Sequence, residues 1–112
     1  MIRATTPKHI FTFENDPSEY ARILITYSQG NKIILEKEKD DLTIEEVRNA
    51  FGKLIGHVAW FRLTQEEANR FQAGPGKLVS VQVRVLTTGN EALASDKKTF
   101  SVQDVLNDEV LE

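Results

Sequence analysis

The stretch FRLTQEEANRFQAGPGKLVSVQVRV, Phe61 to Val85, holds two periodicities side by side. Thr64-Gln65-Glu66-Glu67 has the spacing of a capping box, in which the Thr and Glu side chains satisfy each other's orphan backbone N–H groups at the start of a helix. That helix has room only to Phe71 or Gln72, because Gly74-Pro75-Gly76 stops it. Beyond the stop, LVSVQVRVL (Leu78–Leu86) alternates as a strand, with Val79, Val81, Val83 and Val85 on one face and Ser80, Gln82 and Arg84 on the other. The stretch therefore reads as a strand, a capped corner and a second strand. Such a corner carries a chain from one sheet to the other in a β-sandwich, and the strand after it is a central one.

Outward from this corner the same punctuation continues. His9–Phe13 is aromatic-rich, follows Pro7 and reads as an edge strand. Ala21–Ser28 places Ile23, Ile25 and Tyr27 on one face. Gln29-Gly30-Asn31 is a turn signal, and KIILEK (Lys32–Lys37) completes a hairpin. Gly56–Leu63 is strand-like, with Ala59, Phe61 and Leu63 facing the core and Val58, Trp60 and Arg62 facing away. Lys98–Val102 is the last strand, reached through a polar loop, Thr87–Ser95, with Gly89-Asn90 at its tip.

Thr43-Ile44-Glu45-Glu46 repeats the capping-box spacing. It predicts a second short helix, with Ile44, Val47 and Phe51 on one face and Gly52 as terminator. Val102–Glu112 is expected to form a turn of helix and fray. The expected fold is an all-β, immunoglobulin-like antiparallel β-sandwich of about seven strands with one or two short helices, in a single domain over residues 1–112. An α+β arrangement is the alternative.

Composition narrows the chemistry. The 112 residues carry 14 Lys and Arg against 17 Asp and Glu, a formal net charge of −3, and no cysteine. An acidic balance without a basic patch argues against nucleic-acid binding. Without cysteine there is no disulfide, thiolate catalyst or zinc–thiolate site. No apolar run approaches a membrane span, and the first residues lack the apolar core of a secretory signal, so no membrane contact is expected and the chain is expected to be cytoplasmic when synthesised.

His9 and His57 sit on separate strands without metal-ligand spacing. Glu66 and Glu67 point about 100° apart on a helix and cannot converge on one substrate, and the cap already uses Glu67. Gly74-Pro75-Gly76-Lys77 lacks the spacing of a phosphate-binding loop and precedes a strand rather than a helix. No catalytic residue, cofactor or metal site is expected.

One feature points to a partner. Val58 and Trp60 lie on the face of their strand opposite the core, where Leu24 or Ile34 of a neighbouring strand could join them as a protein interface. The competing reading is that the predicted helix at Thr43 covers this face. A possible homo-oligomer follows from the first reading.

The order of four further motifs carries a resemblance: Arg-x-Thr-Thr-Pro at Arg3–Pro7, Ser28-Gln29 at the hairpin, Leu63–Glu67 at the corner and Gln82-x-Arg84 on the valine strand. In this order they resemble small structural-module proteins of phages and prophages of Firmicutes. The layout is similar to the immunoglobulin-like N-terminal domain of phage baseplate upper proteins. The resemblance implies a non-enzymatic virion-associated component (baseplate, tail or neck) whose partners are other proteins, and which is incorporated in a phage particle. It carries no catalytic residues. A small ligand- or glycan-binding sandwich is the alternative function.

Overall fold

The computed structural model describes residues 1–103 and 109–111, in two antiparallel sheets. Its strands are β1 (Lys8–Phe13), β2 (Arg22–Gln29), β3 (Lys32–Glu38), β4 (Thr43–Arg48), β5 (Leu54–Arg62), β6 (Val79–Leu86), β7 (Ala92–Ala94) and β8 (Lys98–Phe100). One helix, α1 (Gln65–Ala68), lies between β5 and β6. The first sheet has the order β1-β5-β4. The second has the order β3-β2-β6-β7, with β8 pairing the other end of β6. This is the all-β, two-sheet sandwich that the alternating strands predict. Of the expected terminal helix, residues 104–108 and 112 lie outside the described residues.

The inward faces match the period-2 reading. Ile23, Ile25 and Tyr27 from β2 are fully buried, and Ala59, Phe61 and Leu63 bury against them from the first sheet. Phe71, Val79, Leu35 and Val102 complete the core. The β2–β3 hairpin turns on Gly30 and Asn31, with φ of +59° and +63°. Two successive left-handed residues make the turn type whose twist matches the flanking strands, and glycine and asparagine are the residues that tolerate it.

The corner changes sheets as its sequence predicts. Thr64 Oγ1 accepts the Glu67 N–H at 3.1 Å, and Glu67 Oε1 accepts the Thr64 N–H at 3.0 Å. The other carboxylate oxygen of Glu67 meets Lys37 Nζ of β3 at 2.7 Å, in a pair whose side chains are both largely out of solvent. One carboxylate therefore starts the helix and ties the corner to the second sheet. Burial by itself would push the Glu67 carboxyl up; the Lys37 and Thr64 hydrogen bonds and the Lys37 charge outweigh it and hold the group below its ordinary value. The turn after the helix is clamped by Gln29. Its amide donates to Gln72 O at 2.7 Å and Lys77 O at 2.8 Å, and its carbonyl accepts the Gln72 N–H at 2.8 Å.

Two expectations are corrected. Thr43–Arg48 is strand β4, not a helix, so Ile44, Val47 and Phe51 do not share a helical face. The free edge of β5 offers a full ladder of backbone partners, and the β-branched Ile44 and Val47 favour the strand. The loop Thr87–Ser95 is also shorter than its polarity implies. The turn closes between Thr87 and Glu91, and Ala92–Ala94 already pairs β6. Among the described residues the strands number eight, in keeping with the expected about seven.

Replacing Glu67 by Ala removes the cap and strands the half-buried Lys37 charge. We expect a loss of about 2 kcal/mol in unfolding free energy by denaturant titration. The folded-state carboxyl lies below its ordinary 4.5, so the Glu67 contribution is complete above that pH. It is lost as pH falls through the depressed folded value.

Candidate functional site

The sequence points to Val58 and Trp60, and β5 does present both on the outer face of the first sheet, where each is half-buried. The ladder sets their neighbours: Trp60 lies opposite Ile10 of β1 and Thr43 of β4, and Val58 lies opposite Thr12 and Glu45. Ile10 is 57% exposed. Lys8 Nζ sits 4.0 Å from the centroid of the Trp60 ring, a cation–π contact that shields part of the indole. Among the described residues no helix covers this face, because residues 43–48 run alongside it as an edge strand. Leu24 and Ile34 do not join it either; they belong to β2 and β3 of the other sheet.

The more exposed apolar feature is one the sequence reading misses. β1 pairs β5 only as far as Phe13 opposite His57. Beyond that point β4 and β5 continue as a two-stranded arm with no third strand among the described residues, ending in the turn Asn49–Lys53. Phe51 at the turn is 94% exposed, and Leu54 and Ile55 are 40% and 60% exposed. The turn itself is well made. Asn49 Oδ1 accepts the N–H groups of Phe51 at 2.9 Å and Lys53 at 3.0 Å. Arg48 caps the Gly52 carbonyl at 2.9 Å, and Gly52 takes a φ of +79°. An ordered turn thus holds a phenylalanine in water. The signal that could have found it is Asn49 followed by Gly52 between two β-branched runs, an Asx-turn hairpin pattern.

A second apolar feature lies between the sheets. The cleft holds about 500 Å³, and its walls include Phe11, Phe13, Tyr20, Val83, Val85 and Leu93. It exists because the two sheets meet only partway along β6: Val79 is fully buried, whereas Val81, Val83 and Val85 are half-buried. The four-valine face points inward as predicted, but three of its valines line an opening rather than a sealed core.

The histidines do not converge. His9 lies opposite Phe61 and His57 lies opposite Phe13, four rungs apart on the same ladder. His9 instead faces the other sheet, where its Nδ1 is 2.5 Å from the Tyr27 hydroxyl. Burial pushes the Tyr27 phenol up and the His9 imidazole down, so both are neutral near pH 7. In that state the Tyr27 hydroxyl donates and His9 Nδ1 accepts, which leaves the ring proton on Nε2. The bond joins β1 to β2 across the sandwich and satisfies a fully buried phenol. Among the described residues no three His, Cys, Asp or Glu side chains form a group suited to a metal ion, and no helix is long and apolar enough to cross a membrane.

The His9 environment sets a pH dependence. Below its ordinary value of 6.5 the unfolded chain binds a proton that the folded chain resists, so stability falls as pH drops through that range. His9→Gln keeps an acceptor for Tyr27 and removes the titration. We expect unfolding free energies measured between pH 5 and 7.5 to rise with pH in the parent chain and to rise less steeply in the variant. No protein-family model matches the chain, and no curated protein matches it.

Proposed function

We propose that this chain is a non-enzymatic assembly protein that works by protein–protein contact, as a virion-associated component of a phage or prophage. The observation that carries the contact part is the β4–β5 arm, with Phe51 94% exposed at an ordered turn. Holding an apolar side chain in water forgoes burial that would contribute roughly 1.5–3 kcal/mol, and a partner surface recovers it. The outer face of the same sheet adds Val58, Trp60 and Ile10 next to the arm. Aromatic side chains of this kind are the usual centres of protein interfaces. The edges of β1 and β4 add unpaired backbone groups, which suit strand addition by a neighbour.

Among the described residues the titratable groups with displaced proton affinities each have a structural duty: Glu67 caps α1 and pairs with Lys37, His9 and Tyr27 bond to one another across the sheets, and Asp16 caps the turn at Pro17–Glu19 by accepting from Ser18. The phage assignment rests on the order of the motifs at Arg3–Pro7, Ser28-Gln29, Leu63–Glu67 and Gln82–Arg84. A second reading draws on the inter-sheet cleft. Its volume falls within the roughly 300–1,000 Å³ of small-molecule sites, so an apolar ligand is the rival occupant.

Mass spectrometry of phage particles purified from the source cell tests the assignment. The chain is expected in the particles in fixed proportion to the other structural proteins. Its absence from particles, or a gene neighbourhood of metabolic enzymes in place of portal, tail or holin-like reading frames, overturns the virion assignment.

A further inference from the structure

The arm and the cleft are complementary features of one chain. The arm is a knob: Phe51, Leu54 and Ile55 are exposed on a two-stranded ribbon. The cleft is a hole of about 500 Å³ walled by Phe11, Phe13, Tyr20, Val83, Val85 and Leu93, and no residue of the arm lines it. The charges also match. At the knob Arg48 pairs with Glu46 at 2.7 Å, which leaves Lys53 as the charge of the turn without an ion-pair partner among the described residues. The segment between the cleft residues Phe13 and Tyr20 carries Glu14, Asp16 and Glu19, and Asp96 lies on the opposite wall. Lys98 is a cation on that wall, and Lys39 Nζ donates to the Ser18 and Tyr20 carbonyls at 2.8 and 2.7 Å, so the 14–19 end sets three carboxylates against one ammonium and is the acidic side of the cleft.

We propose that the occupant of the cleft is the β4–β5 arm of a second copy of this chain, giving head-to-tail assembly. This rests on the assembly reading above and names its partner. Phe51 enters the cleft between β1 and β7, and Lys53 faces the acidic 14–19 segment. Knob and hole lie at different places on the molecule, so each copy offers both to its neighbours. Passed on head to tail, such a contact grows into a closed ring or an open filament. One knob buries less surface than the roughly 1,200–2,000 Å² of a stable interface. Single contacts are therefore weak, and closure of a ring or anchoring on a template strengthens them.

Sedimentation velocity with two surface variants tests this. Phe51→Ser removes the knob at an almost fully exposed position. Leu93→Lys places a cation on the cleft wall at an exposed edge-strand position, where lysine is well tolerated. The parent chain is expected to gain weight-average mass reversibly as its concentration rises toward about 1 mM, and more so at low salt. Each variant alone is expected to weaken association by roughly thirtyfold or more. Mixed in equal amounts, they are expected to form 1:1 dimers and nothing larger, because one variant keeps the hole and the other keeps the knob.

A parent chain that stays monomeric to about 1 mM overturns the proposal. So does a variant that associates like the parent, as in a dimer through the Trp60 face, and so does a mixture that stays monomeric or grows past dimer. A monomeric chain that is nonetheless present in purified particles sinks head-to-tail assembly alone. Absence from particles sinks the virion reading without touching the self-association result.

Discussion

The Glu67 carboxylate is the tie on which the two sheets depend. One of its oxygens closes the capping box with Thr64, and the other binds Lys37 of β3. The first interaction is local and starts a helix only four residues long, too short to persist on helix propensity. The second reaches 30 residues back in sequence and docks that turn on the second sheet. Because β5 and β6 belong to different sheets, the corner between them sets how one sheet lies on the other. Two further links reinforce it: the Gln29 amide clamps the turn at residues 72–77, and the Tyr27 hydroxyl reaches His9 across the core.

These ties matter because the core is small. Among the described residues eleven hydrophobic side chains are buried, and they concentrate near the corner around Tyr27, Phe61, Phe71 and Val79. Away from it, β6 continues while the sheets part, which leaves Val83 and Val85 facing a cleft. Sheets that pack tightly at one end and open at the other expose apolar walls. The arm exposes apolar side chains at another place on the same molecule. A chain with both surfaces meets its physical demand for burial most simply in an assembly, which supports the proposed protein–protein reading.

Two nearly identical motifs show where sequence reasoning holds and where it fails. Thr64-Gln-Glu-Glu67 and Thr43-Ile-Glu-Glu46 both fit the capping box. The first becomes a helix because the chain is leaving a sheet and no strand edge is in reach to compete. The second becomes β4 because β5 folds back beside it and supplies backbone partners along its whole length. That choice turns Phe51 from one residue of a predicted helical face into the tip of an exposed arm. Val58 and Trp60 were legible as outward-facing because alternation along a strand needs only the period of 2. The setting of Trp60 was not, since Lys8 and Ile10 reach it only through strand pairing.

The sequence by itself determined the strands with clear alternation, their inward faces, the Gly30-Asn31 hairpin and the capped corner. Each of these is decided by interactions within a few residues: side-chain period, left-handed backbone tolerance and the reach of a capping side chain. Only the tertiary structure decided the fate of residues 43–56, the incomplete closure over β6 and the cross-sheet partners of Glu67 and Tyr27. Those depend on which backbone edges and side chains meet across long sequence separations. Local propensity is weaker than the ladder of hydrogen bonds and the burial that such meetings supply.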